Sequence, residues 1–346
     1  MFIQLKNELD RKLEAFITAI EKRYNLKAIS PLLSGAMKDF ILRPGKRIRP
    51  ILFIMGYRGF AKKDPKGLFE SALAIEVLHD FLLIHDDIID KSAMRRGKPA
   101  MHTMLNTYLK KYPKAKFDGN DLAIIVGDIM FAIAIDSFLT IDEDPLRKEK
   151  ALRKFVEAAC YTGCGEFIDT LSGAKNISEI KPKDVYSIYD YKTAYYTFAC
   201  PLVTGAILAG ASEAEIKKLF NFGIYLGRAF QIKDDILGIF AKEEDTGKPS
   251  TSDLQENKKT LLLWFAYQKA TGQEKNRLKS ILAKKNITAK DIAAVQEIMI
   301  KTKSLDNAKQ EITLLLKKAV LSIKPSKIKK EYKEILSSYS STILKT

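Results

Sequence analysis

The feature that most constrains this chain is a cluster of three aspartates, Asp86, Asp87 and Asp90, at the end of the long apolar run from Ala72 to Ile89. Such a run is compatible with a buried helix. In a helix Asp86 and Asp90 lie one turn apart on one face, where their like charges repel. Mg²⁺ would remove this repulsion, because it binds carboxylate oxygens together with substrate phosphates. The cluster suggests a metal and diphosphate site, although a single cluster is better explained as an exposed helix end with solvated aspartates.

A second acidic cluster makes the metal interpretation the better one. Asp234 and Asp235 lie within Phe230–Leu237, which is again apolar and compatible with a helix. Helical bundles build metal and ligand sites from side chains that project inward from facing helices. Two clusters of this kind can therefore face each other across a bundle.

Long segments with helical periodicity, separated by short breaker clusters, predict an all-α fold. The predicted helices cover residues 3–24, 31–41, 49–60, 67–91, 103–112, 121–140, 145–170, 183–211 with internal breaks, and 214–239, and several more follow residue 260. Asn120 or Asp121 is expected to cap the helix that begins there. The 346 residues, 46% of them hydrophobic, are enough for one large domain or two ordinary ones.

The sequence predicts a soluble, cytoplasmic protein. It has no apolar stretch of transmembrane length, and Met1–Tyr24 alternates charges where a signal peptide would have a basic and then an apolar segment. Three cysteines are too few for a disulfide framework and fit a reducing compartment. Cys160 and Cys164, one helical turn apart with no histidine nearby in sequence, are interpreted as small core residues.

The formal net charge of +16 permits a nucleic-acid-binding hypothesis. Many of the lysines lie in the last third of the chain, mixed with Leu and Ile at helical spacing, which favours solvated helix faces. The sequence has no helix-turn-helix signature, zinc finger or aromatic RNA-binding motif, so we expect no nucleic-acid partner. Weak contact with an acidic membrane surface is compatible with the same charge.

Several loops carry cations suited to phosphate. Gly45, Lys46, Arg47 and Arg49 precede a predicted helix, where backbone N–H groups, the helix dipole and the cations can meet a polyphosphate. Further basic residues are Arg95, Arg96, Lys192 and Lys248. With both acidic clusters, these cations are enough for two diphosphates. A nucleoside triphosphatase is a poor alternative because no Gly-x-x-x-x-Gly-Lys-[Ser/Thr] loop is present.

The motifs occur in the order found in the trans-isoprenyl diphosphate synthases, and the chain resembles that family, with a pattern most similar to geranylgeranyl diphosphate synthases. The motifs that carry the resemblance are Gly45-Lys46-Arg47-Ile48-Arg49-Pro50, His85-Asp86-Asp87-Ile88-Ile89-Asp90, Arg95-Arg96-Gly97, Lys192-Thr193, Phe230-Gln231-Ile232-Lys233-Asp234-Asp235, Gly247-Lys248 and residues 253–258. The resemblance implies an all-α bundle around a deep central cavity, in a homodimer. It also implies one domain over residues 1–346, with the extra helices of residues 265–346 packed on it.

The resemblance assigns roles to these residues by position. The implied magnesium ligands are Asp86, Asp90 and Asp234, for three ions with substrate bound and with Mn²⁺ as an alternative, and Asp87 and Asp235 would support them. The implied cations for an allylic diphosphate are Arg95, Lys192 and Lys248, with Lys258 nearby. The diphosphate of isopentenyl diphosphate would be held by Lys46, Arg49, His79 and Arg96. The expected substrate-binding set is completed by Gly45, Thr193 and Gln231.

The implied reaction is ionisation of the allylic diphosphate, condensation with isopentenyl diphosphate and elimination of a proton. In this family the helix before the first cluster forms the cavity floor, so Phe81 and Leu82 predict a twenty-carbon product. The alternatives are a farnesyl or longer-chain synthase, or a non-catalytic partner subunit. Terpene cyclases and head-to-head synthases would not need the cations for isopentenyl diphosphate.

The sequence departs from the common family pattern at two positions. Gly238 stands where many members have the last aspartate of the second cluster. Glu166 stands where glutamine is usual near the substrate diphosphate. Its negative charge would oppose phosphate binding unless it pairs with a cation such as Lys192 or is protonated.

Overall fold

The computed structural model describes residues 1–240 and 252–342, and it confirms the all-α prediction. The helices, in chain order, are α1 (Phe2–Arg23), α2 (Leu26–Ile29), α3 (Pro31–Ile41), α4 (Ile48–Arg58), α5 (Leu68–Ile89), α6 (Met101–Leu109), α7 (Gly119–Phe138), α8 (Pro145–Gly173), α9 (Pro182–Ile188), α10 (Cys200–Leu208), α11 (Glu213–Phe240), α12 (Ser252–Gln255), α13 (Leu261–Lys269), α14 (Gly272–Leu282), α15 (Ala289–Lys301), α16 (Ser304–Ile323) and α17 (Lys330–Thr342). A short antiparallel hairpin of β1 (Met94–Arg95) and β2 (Lys98–Pro99) follows α5. A 3₁₀ turn (Ile177–Glu179) precedes α9, and a π-helix (Tyr189–Ala199) joins α9 to α10.

The first compact unit consists of Met1–Val156 with Pro201–Ala211. At its centre α5 packs against α4 and α7. Helix α5 buries apolar side chains around much of its circumference, which explains why its sequence is an almost unbroken apolar run. It begins and ends within two residues of the predicted bounds.

The second compact unit consists of Glu157–Cys200 with Ser212–Thr346. Here α11 packs against the π-helix and against α16. The buried residues of α11 recur at helical spacing, as Ile216, Leu219, Phe222 and Leu226 illustrate. The C-terminal helices α14 to α17 belong to this unit. The single domain over residues 1–346 stays a prediction.

Two local predictions from the sequence were wrong. Helix α7 is capped by Asp118 instead of Asn120 or Asp121, because the Asp118 carboxylate accepts the N–H groups of both later residues. Cys160 and Cys164 are exposed instead of buried, since they lie on a face of α8 that no other described part of the chain covers.

None of the described helices has the length and apolar character needed to cross a membrane.

Candidate active site

The first aspartate cluster occupies the last turn of α5 and its C-cap, Asp90. Carboxylate oxygens of Asp86 and Asp90 lie within 4.8 Å of each other, and both residues are half-buried. Two hard oxygen donors on neighbouring turns are the kind of ligand that Mg²⁺ prefers, because this ion is held by one or two carboxylates and keeps water or phosphate in its other positions. The first cluster therefore has the donor set that the sequence predicted.

Arg95 lies directly against this cluster. Its Nε atom donates to Asp87 Oδ1 at 2.7 Å, and Nη2 donates to Asp86 Oδ2 at 3.0 Å. Although burial disfavours the charge of Arg95, the carboxylates of Asp87, Asp86 and Asp90 raise its pKa. Asp87 is fully buried and bonded to Arg95, so it is placed to support the cluster instead of offering an open ligand position.

The hairpin between β1 and β2 sets the positions of the two arginines. Arg96 and Gly97 form its two-residue turn with φ of 53° and 73°, the left-handed combination of a type I′ turn. Arg43 holds both strands of the hairpin, because its buried guanidinium donates to the backbone carbonyls of Arg95 at 3.3 Å and Pro99 at 3.0 Å. The turn places Arg95 and Arg96 against different carboxylates of α5.

Two buried carboxylates of α5 were not anticipated as site residues. Glu76 Oε1 accepts from Arg47 Nη1 at 2.7 Å, and Asp80 Oδ1 lies 3.3 Å from Arg96 Nη1. The only signal in the sequence was a pair of acidic residues four apart inside an apolar run. Their partners could not be identified because Arg47 and Arg96 come from distant segments of the chain.

Three of the residues expected to bind isopentenyl diphosphate, His79, Arg49 and Arg96, lie close together. Burial and the positive charges of Arg49, Arg96 and Arg95 lower the pKa of His79 well below its usual value, so its imidazole is neutral near pH 7. Lys46 is exposed in the loop before α4, and Gly45 lies beside it. Arg47, the N-cap of α4, has a left-handed backbone with φ of 53°.

The second aspartate cluster is held by a chain of hydrogen bonds within the second unit. Buried Asp235 accepts from the Tyr189 hydroxyl and from Gln231 Nε2, the latter at 3.0 Å. Thr193 Oγ1 donates to Gln231 Oε1 at 2.7 Å. Asp234, by contrast, is exposed on α11. Asp235 is thus buried and Asp234 exposed, and the roles expected for them, support and metal ligand, stay predictions.

Lys192 lies on the π-helix and pairs with two carboxylates of α8. Its ammonium is 2.8 Å from Glu166 Oε2 and 2.7 Å from Asp169 Oδ2. The unusual Glu166 is therefore paired with the cation that the sequence suggested. A Cβ on Gly165 would lie 2.4 Å from the backbone nitrogen of Lys192, so glycine is required for this close approach. Single π-helical segments are frequent at functional sites.

Phe81 and Leu82, the predicted chain-length residues, are half-buried on α5. The Phe81 ring contacts the rings of Phe131 on α7 and His85, with centroid separations of 5.1 Å and 4.8 Å. Lys258 pairs with Glu256 at 2.5 Å. Lys248 lies outside the described residues.

Comparison with known proteins gives the family. The model of the polyprenyl synthetase family matches residues 30–299, which is well over half of the chain. The chain belongs to the polyprenyl synthetase family. It is therefore a prenyltransferase of the trans type, which acts on isoprenyl diphosphates and condenses isopentenyl diphosphate.

Individual relatives of this polyprenyl synthetase differ in their products. It is 34% identical over 281 residues to a geranylgeranyl diphosphate synthase of Sulfolobus acidocaldarius, covering 80% of this chain and 79% of the relative. It is 32% identical over 311 residues to a geranylfarnesyl diphosphate synthase of Aeropyrum pernix, covering 88% of this chain and 91% of the relative.

A solved structure of a geranylgeranyl pyrophosphate synthase from Corynebacterium glutamicum, complexed with isoprenyl diphosphate and magnesium, matches with a TM-score of 0.88. It is 26% identical, with 98% of this chain and 97% of that chain covered.

Proposed function

We propose that this prenyltransferase makes geranylgeranyl diphosphate by condensing isopentenyl diphosphate with an allylic diphosphate. The observation that carries the proposal is the end of α5, where the facing carboxylates of Asp86 and Asp90 lie beside the guanidinium of Arg95. This combination suits a diphosphate bound through both metal and direct ion pairs. Relatives that make the twenty-carbon product add support.

The metal requirement is part of the proposal. Mg²⁺, as three ions with substrate bound, would be held by Asp86, Asp90 and Asp234 and would neutralise the charge that develops on the departing diphosphate. Mn²⁺ has the same preference for oxygen ligands and is the alternative.

The chain's own cations would bind and orient the two substrates. Arg95 and Lys192 would bind oxygens of the allylic diphosphate, where preorganised positive charge stabilises the leaving group as its bond to carbon breaks. Their present carboxylate partners keep both side chains in place without substrate. Lys248 and Lys258 are expected to assist at the same diphosphate.

Isopentenyl diphosphate would be bound by Lys46, Arg49, His79 and Arg96, which hold its double bond at attacking distance from the allylic cation. The neutral His79 imidazole can donate one hydrogen bond to a phosphate oxygen. After condensation a proton is lost to the released diphosphate, so no protein base is assigned. Gly45, Thr193 and Gln231 complete the proposed set.

We assign control of product length to Phe81, which would form the floor of the cavity below the first cluster, with Leu82 beside it. The contact with Phe131 supports this role, because two packed aromatic rings make a stiffer barrier than one. A longer product is the second candidate, favoured by the similarity to a geranylfarnesyl diphosphate synthase.

The proposal is tested by incubating the protein with Mg²⁺, isopentenyl diphosphate and one allylic primer at a time, of five, ten or fifteen carbons. We expect a twenty-carbon product from at least one primer, identified by chromatography after removal of the diphosphate. A twenty-five-carbon product would replace the assigned product length. No product with any primer would favour the non-catalytic partner subunit.

A homodimer is a further part of the proposal. An exposed stripe along α8 consists of Cys160, Cys164, Phe167 and Leu171, spaced so that all four lie on one face of the helix. Phe167 is 69% exposed and Leu171 51%, which is unfavourable in water for a contiguous apolar surface. Association of two copies through this stripe would bury it, and would also give the two cysteines a buried environment.

A weak contact with an acidic membrane surface is proposed on the basis of charge. Residues 312–330 contain six lysines and no acidic residue, and the same region exposes Leu314 and Leu321 on α16. In a flotation assay, the protein should float with vesicles that contain anionic lipid at low salt, and it should dissociate from them at high salt. A cytoplasmic location stays a prediction from cysteine usage.

A further inference from the structure

Asp80 is a carboxylate buried next to a cation that is proposed to bind substrate. It is 0% exposed, and its Oδ1 atom lies 3.3 Å from Nη1 of Arg96. Among the described residues, neither oxygen of Asp80 makes a hydrogen bond, and neither does Arg96 Nη1. A buried ion pair without hydrogen bonds regains little of the free energy lost on removal from water. Fold stability alone therefore does not explain why an aspartate is placed here.

Arg96 is held toward α5 by its surroundings. Its backbone is left-handed, with φ of 53°, in the turn of the hairpin. Its guanidinium is directed at Asp80 and also lies 3.7 Å from Glu76 Oε1. Both carboxylates come from one face of α5, one turn apart. Arg96 is thus positioned by two buried carboxylates.

Asp80 has a mixed electrostatic environment. Among the described residues, the charged groups that face it are Arg96 from the hairpin, Glu76 from its own helix, and Arg47 and Arg49 at the start of α4. Burial raises the pKa of Asp80 to about 8, with Glu76 adding to the rise and the three arginines opposing it. The neighbouring His79 is neutral near pH 7 and contributes no charge. A small change in the distance of these arginines from Asp80, or in how far their charge is shared with another group, can therefore change the protonation of Asp80.

We propose that Asp80 is a positioning residue for isopentenyl diphosphate: in its ionised form it holds Arg96 while the site is empty, and this form takes up a proton from solvent when Arg96 binds the diphosphate. The inference rests on the proposed function, in which Arg49 and Arg96 bind that diphosphate. Once their charge is shared with the diphosphate, Asp80 loses the counter-charge of two of the three arginines that face it, and the third, Arg47, is already paired with Glu76 and Asp10. A buried carboxylate in that position is neutralised by a proton.

The consequence is a specific pH dependence. Binding with uptake of one proton weakens as the pH rises above the pKa of Asp80 in the empty site, by up to about tenfold per pH unit. The KM for isopentenyl diphosphate should therefore rise between pH 8 and pH 9. The KM for the allylic primer should not follow it, because the described cation closest to Asp80 is Arg96, which is proposed to bind isopentenyl diphosphate.

The test compares wild-type enzyme with Asp80→Asn, in which an amide replaces the protonated carboxyl. Asp142→Asn is the matched control. Asp142 is exposed, and its substitution removes the same charge at another place in the first unit. At constant ionic strength, wild type and the control should show a several-fold rise in KM for isopentenyl diphosphate from pH 8 to pH 9. Asp80→Asn should change by less than about twofold. A flat wild-type profile, or a variant that keeps the rise, would overturn the proposal.

Calorimetry provides a second measurement if Asp80→Asn does not fold. Wild-type enzyme is titrated with isopentenyl diphosphate at pH 8, where the phosphates of the ligand are already ionised, since the second pKa of a phosphate group is about 6. Heats in two buffers of different ionisation enthalpy should reveal net proton uptake, and their equality would contradict the proposal. Absence of any product from wild-type enzyme would instead count against the proposed function.

Discussion

Tyr189 connects the second aspartate cluster to the start of α13. Its hydroxyl donates to Asp235 and accepts the backbone N–H of Leu261 at 2.9 Å. Burial and the Asp235 carboxylate raise the pKa of Tyr189 well above its usual value, so the hydroxyl stays protonated at any working pH. In Tyr189→Phe the Leu261 N–H loses its partner and Asp235 loses a donor. We expect the free energy of unfolding in urea to fall by about 1–3 kcal/mol, together with a lower kcat.

The control for this change is Tyr186→Phe. The Tyr186 hydroxyl also donates to a carboxylate, at 2.7 Å, but that bond is only partly buried and its acceptor is Glu311 instead of Asp235. A loss of about 1 kcal/mol or less with normal kcat is expected there. Equal effects of both changes on kcat would argue against a role for Tyr189 in holding Asp235.

Phe81 is the residue on which we propose that product length depends. Its ring packs on Phe131, so replacement by alanine opens space below the first cluster. We expect Phe81→Ala to shift the product to more than twenty carbons, as measured by chromatography. Phe265→Ala, which removes a half-buried ring from the second unit, should leave the product length unchanged. An unaltered product from Phe81→Ala would remove this residue as the floor.

At the scale of single residues the sequence provided candidates where a motif contains the information, and their roles stay predictions. It offered pairing with a cation such as Lys192, or protonation, as ways to accommodate the charge of Glu166, and the structure shows the pairing with Lys192. Glu76 and Asp80 could not be assigned, because the role of a buried carboxylate depends on which cation the fold brings to it. Arg47 and Arg96 reach them from 29 and 16 positions away in the chain.

The helices show a similar division. The bounds of α5 were predicted to within two residues. Most of its circumference is buried, and the resulting long apolar run marks the helix in the sequence. The π-helix was visible only as a break in segment 183–211. Its hydrogen-bond register depends on packing against α8 and α11, at Gly165 and Gly227, and no local sequence pattern encodes such packing.

Gly165→Ala tests whether this packing positions Lys192. The added Cβ would lie 2.4 Å from the Lys192 nitrogen and 2.8 Å from the carbonyl carbon of Tyr191, so the π-helix must shift. We expect a lower melting temperature and a higher KM for the allylic primer. Gly35→Ala on α3 is the control, because its Cβ meets no atom within 4 Å and alanine favours a helix by up to about 1 kcal/mol. A stable, fully active Gly165→Ala enzyme would contradict this account of the π-helix.

For the whole molecule, the exposed stripe of α8 predicts self-association. Sedimentation of the wild-type protein should give twice the mass of one chain. Phe167→Asp places a charge in the centre of the stripe and should give the mass of one chain. Ile3→Asp changes an equally exposed apolar residue of α1, 74% exposed, and should leave the dimer intact. Dimers that persist in Phe167→Asp would assign the interface to another surface.

The central claim is that the two aspartate clusters support magnesium-dependent condensation of isopentenyl diphosphate. The most direct measurement is incorporation of labelled isopentenyl diphosphate into an extracted prenyl product by wild type, Asp86→Asn, Asp234→Asn and the exposed-site control Asp142→Asn. We predict Mg²⁺-dependent product from wild type and the control, and losses of about a hundredfold or more in both cluster variants. Full activity in either cluster variant, or in wild type after removal of divalent ions, would contradict the account.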